Sequence, residues 1–319
     1  MGLMGLVGCS AKSESGLTPV TLNEVAHSIF YAPQYAAIEL GYFNEEGMDL
    51  TLVNGAGADK VMTALVAGDA DIGFMGSEAS IYTYANGAAD YAVNFAQLTQ
   101  RAGNFLVGRS AETNFDWSNL TGKKVIGGRA GGMPQMVFEY ILKKHGLDPK
   151  TDLTIDQSIN FGLTAAAFTG NDADYTVEFE PFATGLEVEG SGYVVASLGE
   201  ESGYVPYTAY CAKKSYLEKN PEIIQKFTNA IQKGLDYVNS HSAEEIAKTI
   251  QPQFKETDLS KITLIVERYK KQDTWKQDTV FEKDSFDLLQ NILEEAGELK
   301  DRIPYRDLVT VDFAKEAAR

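Results

Sequence analysis

The sequence predicts an α/β protein of two doubly wound lobes joined by two crossovers, with a helical C-terminal part packed on the first lobe. Three observations predict it. A helix–turn–strand unit occurs twice, at 65–80 and at 167–182. Strand-like and helix-like segments alternate on both sides of Gly108-Arg109. From Asn220 onward the pattern is almost entirely helical.

The repeated unit begins with a small-residue helix that ends at Gly68 or Gly170, because glycine accepts the left-handed conformation that closes a helix. Asp-Ala-Asp follows at 69–71 and 172–174, then a short apolar run, Ile72 to Met75 or Tyr175 to Phe179. Such a run fits a strand buried on both faces. Glutamates stand just past each strand: Glu78 in the first copy, Glu178 and Glu180 in the second. Ligands of α/β sheets bind beyond the carboxyl ends of the strands, so two copies place two sets of strand ends on one cleft. The aspartates read as capping and solvated residues.

In chain order, Val20 opens the first strand. Pro33 to Leu40 reads as a helix with proline in its first turn, closed by Gly41, and 49–53 as the second strand. Gly55 and Gly57 lead into the helix that ends at Gly68; a short helix follows from Ser77, then strands over 91–98 and 104–107. Beyond Gly108-Arg109, Leu120 to Gly128 starts a fresh strand–helix alternation, followed by a helix over 134–145, a strand over 153–157, the second repeat, and a strand over 193–197. Gly199 to Pro206 reads as a polar return and Tyr207 to Ala212 as a strand rejoining the first lobe. Asn220-Pro221 signals a capped helix start, Ser242 to Glu245 is a capping box, and 259–269 and 286–296 carry apolar residues at helical spacing. The expected organisation is a leader and tether over 1–17, the first lobe over 18–108, the second over 109–204, and a return to the first with the C-terminal helices over 205–319.

The chain has 319 residues, 44% hydrophobic and 23% charged, which is globular composition. A net charge of −17 argues against nucleic acid as a partner. The two cysteines are Cys9 and Cys211. Leu6-Val7-Gly8-Cys9 after an apolar start, followed by a small polar stretch, has the pattern of a lipidated cysteine and its tether. Extracytoplasmic anchoring through Cys9 is the expectation. Cys211 reads as a buried apolar residue. The three histidines, His27, His145 and His241, are scattered, so neither a catalytic set nor a metal set is readable from spacing, and no cofactor is expected.

Three stretches together resemble the bacterial ABC-transporter solute-binding proteins, in the branch of the nitrate, sulfonate and taurine binders and the pyrimidine binders of thiamine supply. They are Tyr35-Ala-Ala-Ile-Glu-Leu-Gly-Tyr-Phe-Asn-Glu-Glu-Gly-Met-Asp-Leu50, Leu65-Val-Ala-Gly-Asp-Ala-Asp-Ile-Gly-Phe-Met-Gly76 and Leu120-Thr-Gly-Lys-Lys-Val-Ile-Gly-Gly128. The similarity runs in order over residues 18–240. It implies the type II periplasmic-binding-protein fold: two lobes that close on a small ligand. It also implies a monomer that delivers its ligand to a membrane permease driven by an ATPase. Pyrimidine binders of this family often carry a tryptophan in the first loop; here Val25 and His27 occupy that region, and the tryptophans are Trp117 and Trp275. Fungal relatives make the thiamine pyrimidine, an enzymatic alternative that the lipoprotein-like start speaks against.

The candidate ligand-binding residues lie past the strand ends: Phe30, Tyr31, Gly76, Ser77, Glu78, Gln97 and Arg101 from the first lobe, Gly131, Gly132, Met133, Glu178, Glu180 and Phe182 from the second, and Tyr207 at the return. Free N–H groups at helix starts, at Gly76-Ser77 and Gly131-Gly132-Met133, with Arg101 and Arg129 near them, favour an anion such as a sulfonate, taurine or nitrate. The glutamates favour an amine-bearing heteroaromatic, such as a thiamine precursor or thiamine, because a like charge against a buried anion costs several kcal/mol. Strand alternation puts Glu178 and Glu180 on one face and Phe179 on the other, if the strand runs that far. Aromatic side chains at 30, 31, 182 and 207 offer faces for a ring.

Overall fold

The computed structural model describes residues 16–160 and 162–319; Cys9, and with it the lipidation expectation, lies outside them. Two five-stranded sheets form, with the same order and the same directions. The strands are β1 (Thr18–Glu24), β2 (Met48–Asn54), β3 (Ile72–Met75), β4 (Ala92–Thr99), β5 (Phe105–Gly108), β6 (Lys124–Ile126), β7 (Thr154–Asp156), β8 (Tyr175–Glu178), β9 (Tyr193–Ser197) and β10 (Thr208–Lys213). The first sheet runs β2-β1-β3-β10-β4 and the second β7-β6-β8-β5-β9. In each, three strands are parallel and the fourth is antiparallel to its neighbours. That antiparallel strand, β10 or β5, enters from the other lobe, so each sheet is mixed.

The two repeats occupy the central strand of each sheet, β3 and β8, all of whose residues are buried. The aspartates of the repeats have a specific structural task. Asp71 Oδ2 accepts the Thr21 N–H of β1 at 2.8 Å, and Asp174 Oδ2 accepts the Lys124 N–H of β6 at 2.9 Å. Each ties the repeat to the neighbouring parallel strand just before the pairing begins, at Leu22 in β1 and Val125 in β6. The glycines differ. Gly68 closes its helix at φ +87°, as expected, but Gly170 is the last helical residue and Asn171, in extended backbone, ends the helix.

The helices of the two lobes are α1 (Ala32–Glu39), α2 (Tyr42–Glu45), α3 (Ala58–Ala67), α4 (Glu78–Ala85), α5 (Met133–Lys144), α6 (Thr164–Gly170), α7 (Phe182–Val188) and α8 (Leu198–Ser202). The C-terminal part adds α9 (Lys214–Lys219), α10 (Pro221–Ser240), α11 (Ala243–Ile250), α12 (Leu259–Lys271) and α13 (Lys283–Ala296). The capping box at Ser242 and Glu245 forms. Asn220 makes no side-chain cap; its amide donates back to the Tyr216 carbonyl at 3.2 Å, while Pro221 takes the expected first position.

Two expectations are corrected. Strand 105–108 belongs to the second sheet, so the first crossover runs through 100–104, before Gly108-Arg109. The return contains a helix, α8, and the second crossover runs through 203–207. The C-terminal helices also do more than cover the first lobe. α10 and α11 pack on α1, but α13 packs on α5 of the second lobe, where Lys143 donates to the Glu295 carbonyl at 2.7 Å. Among the described residues no helix is long and apolar enough to cross a membrane.

Candidate functional site

The strand ends of both sheets open onto one cleft enclosing about 850 Å³, the open solvent at its mouth included. First-lobe residues Tyr31, Gly76 and Glu78 face second-lobe residues Gly132, Met133, Glu178 and Phe182 across it, with Asn104 and Tyr207 contributed by the two crossovers. The lobes also touch each other directly. Tyr82 on α4 donates to the Gly131 carbonyl at 3.1 Å, Ser28 Oγ to the Glu180 carbonyl at 2.7 Å, and Arg129 stands 3.8 Å from Asp59.

Glu78 is the first residue of α4 and is 3% exposed. Its side chain folds back over Gly76, where an added Cβ would lie 2.1 Å from Oε2, so any side chain at 76 has to displace the Glu78 carboxyl. Burial pushes its carboxyl up to about 7, against the pull of its own backbone N–H, the Arg129 charge and the Met133 N–H. Met133 begins α5, whose start also faces the cleft. The helix start that the sequence offers to an anion thus shares the cleft with a carboxyl of the other lobe.

Glu178 is the last residue of β8 and is 1% exposed. Thr176 donates to its Oε1 at 2.6 Å and Thr164, at the start of α6, to its Oε2 at 2.8 Å. Burial outweighs both hydroxyls and raises this carboxyl too to about 7. Two buried carboxyls, one from each lobe, thus line the same cleft.

Glu180 does not join them. β8 ends at Glu178, so the alternation that would have aligned 178 with 180 stops, and the cis Glu180-Pro181 bond turns the chain. Glu180 accepts the Thr184 N–H at 2.9 Å and hydroxyl at 2.8 Å, and Arg268 of α12 at 3.1 Å. It anchors the C-terminal helices to the second lobe, while Phe179 turns into the cleft.

Other expected site residues also stand back from the cleft. Phe30 is fully buried behind it, against Tyr31 and Tyr207 with ring centroids 5.1 and 5.7 Å away. Ser77 donates to the Pro206 carbonyl at 2.7 Å, joining α4 to the second crossover. Gln97 lies within β4 and donates to the Thr99 carbonyl at 2.9 Å. Arg101 donates to the Gly199 carbonyl at 3.2 Å and stacks on Tyr204 at 4.5 Å, bracing one crossover against the other. Gly131 contributes the carbonyl that Tyr82 reaches, beside the cleft lining. His27 faces away, with ring nitrogens 2.8 Å from Glu24 Oε1 and 2.8 Å from the Gln253 carbonyl; the Glu24 contact raises its pKa.

The sequence reading omitted Asn104, Thr164 and Phe179 from the site, and it named Arg129, at the rim, without including it among the ligand-contacting residues. Asn104 carried a signal, since it is the one polar residue at the head of the apolar run Phe105-Leu106-Val107. Among the described residues no group of three or more His, Cys, Asp or Glu is placed to hold a metal ion.

Several known proteins are similar to this chain. The Bacillus subtilis protein named "Putative binding protein YtlA" is 46% identical over 314 residues, 98% of this chain and 93% of that protein. The Saccharomyces cerevisiae 4-amino-5-hydroxymethyl-2-methylpyrimidine phosphate synthase THI5 is 25% identical over 66% of this chain and 63% of its own length. Among solved structures, the alkanesulfonate-binding protein SsuA from Xanthomonas axonopodis pv. citri, bound to MOPS, superposes with a TM-score of 0.74 at 16% identity, covering 92% of this chain and 98% of that one. That likeness is one of fold, the fold of the periplasmic solute-binding proteins. A family model described as "NMT1/THI5 like" matches residues 29–245, and with two-thirds of its length matched the chain belongs to the NMT1/THI5-like family.

Proposed function

We propose that this protein is the extracytoplasmic solute-binding component of an ABC importer, tethered through Cys9, and that it captures a small amine-bearing heteroaromatic such as a thiamine precursor or thiamine. The observation that carries the ligand class is the pair Glu78 and Glu178, one carboxyl from each lobe lining one cleft. An ammonium or exocyclic amine between them stabilises both charged forms and offsets the burial that raises their pKa values. Tyr31, Phe179, Phe182 and Tyr207 supply the ring faces. A ligand that touches both lobes favours the closed arrangement by its differential affinity for it. A protein that binds and releases in this way passes its ligand to a permease and works as a monomer without a cofactor.

A second reading, an alkanesulfonate, taurine or nitrate, draws support from the start of α5 facing the cleft and from Arg129 at its rim. Thermal-shift screening separates the two. Aminopyrimidines and thiamine are expected to raise the melting temperature and alkanesulfonates to leave it unchanged. A shift with an alkanesulfonate and none with any ring amine reverses the ligand assignment.

A further inference from the structure

Among the described residues, six buried side-chain polar atoms have no hydrogen-bond partner: Asn23 Oδ1, Glu78 Oε2, Gln97 Oε1, Arg101 Nε, Asn104 Nδ2 and Thr279 Oγ1. Buried polar atoms nearly always have partners, so each exception needs a cause. Only two of the six belong to residues that line the cleft, Glu78 and Asn104. They are of opposite kind. Glu78 Oε2 is a carboxyl oxygen and Asn104 Nδ2 is an amide donor.

Asn104 is held firmly. It is 1% exposed, its Oδ1 accepts the Tyr207 hydroxyl at 2.6 Å, and its backbone carbonyl accepts the Leu198 N–H at 3.0 Å. The hydroxyl on Oδ1 fixes which way the amide points and leaves the N–H pair over. Asn104 and Tyr207 sit on the two crossovers, so this hydrogen bond ties one crossover to the other beside the cleft.

We infer that Asn104 is a specificity-determining residue, donating its free amide N–H to an acceptor atom of the ligand while Glu78 Oε2 accepts from the ligand's amine. The inference rests on the amine reading of the cleft and narrows it. The ligand carries a donor and an acceptor on one edge, as an amine beside a ring nitrogen or a carbonyl does. Polyamines and quaternary ammonium ions lack the acceptor, and alkanesulfonates lack the donor.

Calorimetric titration of the full chain with two probes tests this. 4-Amino-2-methylpyrimidine has the amine and the ring nitrogens; 3-methylaniline has the same shape and amine without them. At pH 8, where both are neutral, wild type is expected to favour the pyrimidine by about tenfold or more, since a site built to donate a hydrogen bond rejects a partner that lacks the acceptor. Asn104→Asp, which keeps an acceptor for Tyr207 and removes the N–H, and Asn104→Leu should both bring that ratio close to one. A wild-type ratio near one, or a ratio that survives both substitutions, overturns the inference and leaves the amine reading standing. If neither probe binds and ethanesulfonate does, the amine reading fails and this inference with it. Should Asn104→Leu fail to fold, the near-isosteric Asn104→Asp decides.

Discussion

Replacing Glu178 by glutamine should make the ligand-free protein more stable and unable to bind its amine. The side chain is 1% exposed and its carboxyl titrates at about 7, against 4.5 for a free glutamate. A folded pKa raised above the unfolded one means that the native state binds more protons between those two values, so stability falls as pH rises through that window. Above it the full cost remains, about 3 kcal/mol for a displacement of this size. Glutamine is isosteric and carries no charge, and its amide can still meet the Thr164 and Thr176 hydroxyls. At pH 8 the variant should therefore be more stable by up to about 3 kcal/mol, or about 4 °C in melting temperature for a chain of this length. At pH 5, where the wild-type carboxyl is largely protonated, the gap should shrink below about 1 kcal/mol. Differential scanning calorimetry at the two pH values, with amine titrations alongside, reads both effects. A variant that melts below wild type at pH 8, or a gap of the same size at both pH values, refutes the burial argument. Undiminished amine affinity refutes the assigned role.

Three further outcomes follow from the same geometry. Affinity for a ring amine should climb between pH 5.5 and 7.5 and then level off, because protons compete for Glu78 and Glu178 below about 7; calorimetric titration across that range checks it, and an affinity that falls with rising pH contradicts it. Arg268→Ala leaves Glu180, whose side chain is fully buried, without its counter-ion, and should cost about 3–5 kcal/mol in urea unfolding while leaving ring-amine affinity of the folded protein nearly unchanged. Gly76→Ala drives a methyl into the Glu78 carboxyl and should lower amine affinity by about tenfold, with little change in far-ultraviolet circular dichroism.

The parts of the fold that were legible in the sequence are those set by local chemistry. The repeat at 65–80 and 167–182, the Gly68 helix stop and the Ser242 capping box depend on residues within a few positions of one another, and each forms. What was not legible depends on distant partners. An apolar run such as Phe105-Leu106-Val107 is buried on both faces in either sheet, so nothing local tells which sheet it joins. β5 pairs with β8 and β9, and the crossover moves accordingly. Glu180 read as a cleft residue because strand alternation was extended past the end of β8. Its partner Arg268 lies 88 residues further on. Asn104 likewise acquires its meaning from Tyr207, 103 residues away.

The place of Glu78 bears on how one fold can serve ligands of opposite sign. A doubly wound lobe necessarily leaves a helix N-terminus beside its strand ends, and that terminus attracts negative charge by roughly 0.3–1 kcal/mol, up to about 2 when partly buried. An anionic ligand uses this attraction directly. Here Glu78, buried in the opposite lobe, lines the same cleft as the α5 start, and its Oε2 has no hydrogen-bond partner. Under the proposed function a carboxylate beside the helix start accepts from an amine, which would invert the preference of the site without moving any element of the scaffold. An anion entering this cleft has to meet Glu78 and Glu178 in their protonated forms. Near neutral pH that requires proton uptake, so an anionic ligand should bind more tightly as the solution is acidified from pH 8 to 6, whereas an amine should bind less tightly over the same range. The sign of that slope, measured on the unaltered chain, separates the two ligand classes without any substitution.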